Sequence, residues 1–247
     1  MPHVVTCFLR HRTHVLLARR SDAVGTDAGR WAGISGSVEG DPADAEADAR
    51  REIREETGVE SATLVRVGDP LDVRDGDRTW TVHPFLFEVG SRDIDPNEEL
   101  DAHEWASPPA IHDRETVPGL WNAYVAVAPT VETVAADGTH GSAWISVRAL
   151  EVLRDRAAVA GTADAVVAVA RDLRAARPSM AAVANRVNRV MADADRTPAA
   201  IRERAQLAAA AALDADDAAA ARAAERCGAS VTTLSRSGTV RAALRAA

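Results

Sequence analysis

Glu52, Glu55 and Glu56 are related as i, i+3 and i+4, so on a helix their carboxylates leave one face within reach of a common point. Alone, such a triplet is electrostatically poor because three like charges share little more than one turn. A divalent cation turns that repulsion into coordination, since carboxylate oxygens are the donors that hard cations prefer. The other reading is a solvated charged helix in an acidic protein. Arg51 stands directly before the triplet and Gly58 directly after Thr57.

A helix must carry these residues, and the sequence bounds one well. Asp41-Pro42 supplies an N-cap followed by proline at the first helical position, Asp44 adds an acidic first turn, and Gly58 is the stop, giving a helix over about 43–57. Val4 to Leu9 and His14 to Ala18 read as two strands joined at His11-Arg12-Thr13, a hairpin. Strand character returns at Ala62 to Val67 and at Trp80 to Val89, where apolar residues alternate. Strand pairs with a helix between them predict an α/β sandwich for the first part of the chain.

The stretch Arg51-Glu52-Ile53-Arg54-Glu55-Glu56-Thr57-Gly58-Val59 matches the last nine positions of the Nudix box, and Gly29 to Val59 resembles the strand, loop and helix of that family. The resemblance covers roughly residues 1–132 and implies an α/β/α sandwich and metal-dependent hydrolysis of a pyrophosphate bond. By that resemblance Glu52, Glu55 and Glu56 hold Mg2+ or Mn2+, and Arg51, Glu55 and Glu56 belong to the catalytic set. The front of the box departs from the family: its first Gly falls on Ser37 and its first Glu on Ala43, with Gly36, Glu39 and Asp41 close by. In the family that first Glu orients the arginine that corresponds to Arg51. Family members often recruit a further acid from a later loop, and Glu98 and Glu99 are the candidates here, as ligand, base or solvated loop residues. Arg19 and Arg20, ending the second strand, are candidates for a phosphate contact or for simple solvation. Trp31 is a candidate for stacking on a base or for the core, and His83, set among apolar neighbours, reads as a packing residue more than a catalyst.

The chain changes character near residues 130–142. Residues 1–140 carry 13 arginines against 26 acids, whereas 141–247 carry 16 against 11, and alanine rises from 17 to 36 across the same cut. Val134 to Gly141 has linker composition, so the expected organisation is a first domain at 1–132, a linker at 133–141 and a second domain at 142–247. In the second domain Ala143, Val147 and Leu150, then Met180, Val183, Val187, Val190 and Met191, recur at helical spacing, and Ile201 to Ala224 is a long alanine-rich helical run. Ser230 to Leu234 reads as a strand and Ser237 to Ala247 as a further helix.

Three segments of this second part, His140 to Leu150, Ala176 to Met180 with Val187 to Val190, and Val231 to Val240, resemble in order the helical region and first Rossmann-type strand of the family of initiation factor 2B regulatory subunits and ribose-1,5-bisphosphate isomerases. That resemblance implies a partial Rossmann-like beginning. The isomerases' catalytic cysteine corresponds to Ser235, Cys227 precedes the strand, and their aspartate falls beyond the sequence, so isomerase activity is not expected. The chain runs only about a dozen residues past the strand, and the expectation is that this tail packs on its own helices, on those of a second copy as a homo-oligomer, or belongs to a longer fusion.

Composition excludes other classes. At 247 residues, 47% hydrophobic and 27% charged, the chain is a globular protein rather than a disordered one. The longest apolar stretch, Ala205 to Leu213, is too short and too alanine-rich for a membrane span, and no leader pattern precedes residue 30, so a cytoplasmic location without a membrane partner is expected. Cys7 and Cys227 stand alone and read as two buried thiols. All 29 basic residues are arginine, and with 37 acids this composition suggests a salt-loving habitat. No aromatic residue follows Trp144, so the positive second half offers no base-stacking platform and nucleic acid is not an expected partner. The leading expectation is a hydrolase acting on a nucleoside diphosphate linked to another moiety, ADP-ribose-like substrates included. The alternatives are a nucleotide-sensing module and a scaffold.

Overall fold

The computed structural model describes residues 1–234 and 237–247, which divide into two compact units, Met1–Ala128 and Pro129–Ala247. In the first unit, period-two alternation builds one eight-stranded mixed sheet. Its strands are β1 (His3–His11), β2 (His14–Arg20), β3 (Trp31–Ala32), β4 (Ile34–Ser37), β5 (Ala62–Val67), β6 (Leu71–Asp75), β7 (Arg78–Val89) and β8 (Leu100–Ala106). β1 lies at the centre. It pairs in parallel with β7 from His3↔Thr81 to Arg10↔Glu88, and antiparallel with β2 at the hairpin end and with β4 from Val4↔Ser37 to Cys7↔Ile34.

Two helices cover the two faces. A 3₁₀ turn at Pro42–Asp44, capped by Asp41 accepting from the Ala43 amide at 3.0 Å, leads into α1 (Ala45–Thr57), which ends at Gly58 with φ +68°. Its apolar stripe Ala45, Ala49 and Ile53 packs on Val5, Cys7, Leu9, Phe85 and Phe87. The opposite face, Phe8, Val15, Leu17, Val82 and Leu86, is closed by α2 (Leu120–Val127) through Leu120, Ala123, Tyr124 and Val127. The expected α/β/α sandwich and the helix over about 43–57 are therefore present. β3, β4, β6, β8 and α2 had no separate signal in the alternation: β3 and β4 are short, and β6 and β8 interleave charged residues with few apolar ones.

The second unit is helical, with α3 (Val131–Ala136), α4 (Ser142–Val159), α5 (Ala163–Ala176), α6 (Ala181–Asp193), α7 (Pro198–Ala224) and α8 (Gly238–Ala246). Threonine or serine hydroxyls cap α3, α5, α7 and α8 at Thr130, Thr162, Thr197 and Ser237. α4 is the buried axis: Ile145, Leu150 and Leu153 meet Leu173 of α5, Val183, Val187 and Val190 of α6, and Ile201, Ala205 and Ala209 of α7. The alanine run on α7 lets two backbones approach closely, which is why so small a side chain forms a core.

Three expectations are corrected. Ser230 to Leu234 forms no strand, and Val231 and Leu234 are exposed, because a strand needs a neighbouring strand for its amides and carbonyls and the described part of this unit is otherwise helices and turns. Residues 133–136 of the expected linker belong to a helix, Val131–Ala136, with Val134 in the core of the second unit, because the Thr130 and Thr133 side chains close a capping box there. Cys7 is buried but Cys227 is only half-buried, past the end of α7. Ser235 lies outside the described residues. No described helix is long and apolar enough to cross a membrane.

Candidate active site

One face of α1 carries Glu52 and Glu56, 8% and 4% exposed, against the strand β4. Glu56 accepts the Ser35 amide proton at 3.1 Å, and Glu52 lies over Gly36 so closely that a Cβ there would stand 2.0 Å from its carboxylate. Only glycine leaves that space. Glu55 belongs to the edge of the face: it is exposed and 3.4 Å from Arg51. Glu99, in the turn before β8, acts electrostatically on both Glu52 and Glu56.

The charges are held under tension. Burial pushes the Glu56 carboxyl up to about 8, the Ser35 amide opposes this, and Glu52 and Glu99 add to the rise while Arg20 reduces it. Glu52 is raised as well, by burial first, with Arg51 opposing and Glu55, Glu99 and Glu39 contributing. Carboxylates that share a partly dry site and resist ionisation are suited to a cation, and oxygen donors of this kind fit Mg2+ or Mn2+. Among the described residues no three His, Cys, Asp or Glu side chains are yet drawn together closely enough to hold a metal ion. The residues that could close on one are Glu52 and Glu56, with Glu55 and Glu99 at the rim.

Arg51 is fixed without the glutamate that the front of the motif lacks. Its guanidinium donates to Asp48 at 3.0 Å and to the Ser37 carbonyl at 3.2 Å, and lies 2.9 Å from Glu52 and 3.5 Å from Glu39. The Asp48 hydrogen bond is the main reason its basicity is raised. Asp48 was legible as i−3 to Arg51 on the same helix, and Glu39 as a neighbour of the missing position.

Beyond β4 opens a cavity of about 290 Å3, bordered by Ser35, Gly36 and Ser37 on one side and by Val82, Leu120 and Trp80 on another. Arg20 enters it, donating to the Ser35 hydroxyl at 2.9 Å and to the Thr26 carbonyl at 3.1 Å. The structure separates the two neighbouring arginines, because successive residues of a strand point to opposite faces. Arg19 forms an ion pair with Asp101 of β8 and does not line the cavity. Trp31 does not line it either; its ring lies beneath the Arg114 guanidinium, 5.5 Å from the ring centre.

A model of the NUDIX domain matches residues 1–127. The chain belongs to the NUDIX domain family. A model of the initiation factor 2 subunit family matches residues 138–247. Similar solved structures include a MutT protein from Methanosarcina mazei Go1, 25% identical over 50% of this chain and 88% of that one with a TM-score of 0.42. The ORF135 protein of E. coli is 27% identical over 51% of this chain and 89% of its own, with a TM-score of 0.40. No curated protein matches the chain.

Within the NUDIX unit the sequence-predicted residues therefore part company. Glu52, Glu56, Arg51 and Glu99 are brought to one place, Glu55 sits at its edge, and Arg20 reaches the adjoining cavity. Glu98 accepts the Ser21 hydroxyl proton at its backbone carbonyl, at 2.6 Å. His83 is the packing residue expected, 7% exposed with its Nε2 2.8 Å from His3 Nδ1. Trp80 was missed as a site residue. Its signal was parity: it shares the β7 face of Val82 and Leu86, and with Val82 it lines the cavity.

Proposed function

We propose that the NUDIX unit hydrolyses the pyrophosphate bond of a nucleoside diphosphate linked to a second moiety, ADP-ribose-like substrates included, with Mg2+ or Mn2+ held by Glu52, Glu55 and Glu56. The observation that carries this reading is the approach of two buried glutamates to the Ser35–Gly36 wall of a cavity that Arg20 enters from the same wall. When bound, the cation supplies positive charge to the phosphate oxygens and lowers the pKa of an attacking water. Arg20 positions a phosphate by charge-assisted hydrogen bonds, which its present bond to the Ser35 hydroxyl orients toward. Trp80, Val82 and Leu120 offer an apolar wall to the nucleoside and exclude water from it. Arg51, tied to Asp48 and to the β4 carbonyl of Ser37, holds the α1–β4 junction on which the glutamates depend. Glu99 is the additional acid of choice over Glu98, because it is the one whose charge reaches Glu52 and Glu56.

Nucleotide sensing without turnover would be favoured by a loose Arg51, and its hydrogen bonds to Asp48 and Ser37 argue for turnover instead. The test is release of nucleotide from a panel of nucleoside triphosphates, ADP-ribose, NADH and dinucleoside polyphosphates at high salt, with Mg2+ or Mn2+. Glu56→Gln is expected to lower turnover by about a hundredfold or more, as for loss of about 3 kcal/mol of transition-state stabilisation. Full activity in both Glu52→Gln and Glu56→Gln would end the assignment.

A further inference from the structure

Residues 90–99, between β7 and β8, form a strap that α1 holds at one end and the hairpin of β1 and β2 at the other. At the α1 end the Asp95 and Asn97 amides donate to the Thr57 and Glu56 carbonyls at 2.8 and 3.2 Å. At the hairpin end the fastening is Arg92. Its Nε donates to His11 Nδ1 at 3.3 Å and its Nη2 to His14 Nδ1 at 3.1 Å, while its backbone carbonyl accepts the Trp105 indole proton at 3.0 Å. His11 and His14 are direct partners across the hairpin, so their rings leave the same face. The His11 ring meets Trp105 at its edge, with 6.1 Å between ring centres.

A guanidinium carries donors only, so each Nδ1 that receives it must hold a lone pair. Both imidazoles are therefore neutral in this arrangement. A proton arriving on either Nδ1 removes an acceptor and sets one more positive charge against Arg92 and Arg12. The acids nearby are engaged elsewhere. Glu88 of β7, whose charge favours a protonated His11, is paired with Arg10 at 2.9 Å. On β8, Glu104 has the opposite parity to Trp105 and pairs with Arg114 at 2.6 Å, and on the strap Asp93 accepts from the Ser91 hydroxyl at 2.6 Å. We infer that Arg92, His11 and His14 form a pH-sensitive latch, closed while both imidazoles are neutral and opened when they take up protons, which frees the 90–93 end of the strap and leaves its α1 end in place. Burial first, then Arg92 and Arg12, lowers His11 from its ordinary 6.5, against the opposing effects of Glu88 and a hydrogen bond to the Gly90 backbone. A folded value below the unfolded one makes the contribution of the latch to stability whole above about pH 6.5 and lost as pH falls through the lowered value. The strap leads to Glu99, but the latch concerns how the strap is fastened and does not rest on the hydrolase reading.

The Trp105 indole proton reports on the latch, because its acceptor is the Arg92 carbonyl. In the full chain its hydrogen exchange, taken relative to free tryptophan, should accelerate about tenfold between about pH 7.5 and about pH 5, as for loss of hydrogen bonds to one charged group. The Asp95 amide, held by α1, should keep its protection. Glutamine accepts a hydrogen bond but takes up no proton, so the double variant His11→Gln with His14→Gln should exchange slowly at both pH values. Arg92→Gln should exchange fast at both, and its His11 ring should titrate higher than in the parent, since a neighbouring positive charge is gone. Arg92 is exposed and both histidines are half-buried at the surface, so the variants should melt as the parent does. A Trp105 rate that ignores pH, that changes equally in the histidine variant, or that rises together with exchange at Asp95 would overturn the inference, the last because acid would then be loosening the unit as a whole.

Discussion

Glu52 depends on a residue with no side chain. The 2.0 Å between its carboxylate and a Cβ at residue 36 means that Gly36→Ala must displace either β4 or the glutamate. Turnover should fall at least tenfold, while the melting temperature, set by the cores on both faces of the sheet, moves little; unchanged kcat would show that Glu52 acts elsewhere. Asp48 is the second such dependence. Asp48→Ala removes the main acceptor of Arg51, and partial loss of turnover is expected, with Asp48→Asn retaining more activity than Asp48→Ala because its amide oxygen can still accept. Cys7 is fully buried, and burial, then the charges of Glu56 and Glu52, raise its thiol pKa well above the ordinary value, so it should resist alkylation until the unit unfolds.

Elements place these residues through their ends. α1 must stop where it does for the turn before β8 to come back beside it, since the Asp95 and Asn97 amides donate to the Thr57 and Glu56 carbonyls at 2.8 and 3.2 Å. Gly58, with φ +68° and Asp95 at 3.1 Å from a would-be Cβ, makes that stop. Gly58→Ala should cost about 1–2 kcal/mol in denaturant unfolding, the penalty of a left-handed residue other than glycine. After α3 the chain turns at Asp137. Burial raises that carboxyl, but the amides of His140 and Thr139 and the His140 ring outweigh it and bring the pKa down from 3.8 to about 2. A folded value below the unfolded one stabilises the fold above about pH 4, and that contribution is lost as pH falls through 2. An NMR titration of the Asp137 carboxyl carbon should find the low midpoint, and Asp137→Asn should flatten the acid limb of stability against pH.

At the scale of the molecule, each unit has a hydrophobic core drawn from its own residues. A fragment of residues 1–128 should therefore fold and retain any hydrolysis that the full chain performs under the proposal, and loss of its circular dichroism, or of an activity the full chain has, would show that the core of the first unit is insufficient. Leu150→Ala, in the buried axis of the helical unit, should cost about 2–5 kcal/mol there while leaving the proposed hydrolysis at permissive temperature unaffected.

Local signals made much of this protein legible. Asp41-Pro42 and Gly58 bound α1 because capping is a property of a few adjacent residues, and period-two alternation marked β1, β2, β5 and most of β7 because neighbouring side chains on a strand face opposite ways. The spacing of Glu52, Glu55 and Glu56 announced a shared face for the same reason. What no spacing could convey is which two carboxylates of the three would be dry. That was decided by β4, a four-residue strand around Gly36, laid against α1 through its pairing with β1. Likewise, that Arg20 rather than Arg19 and Trp80 rather than Trp31 line the cavity was decided by strand parity and by which elements pack across the sheet. Ser230 to Leu234 shows the limit from the other side: β-branched residues favour a strand, but its hydrogen bonds belong to a neighbour, and the neighbour is a matter of tertiary structure.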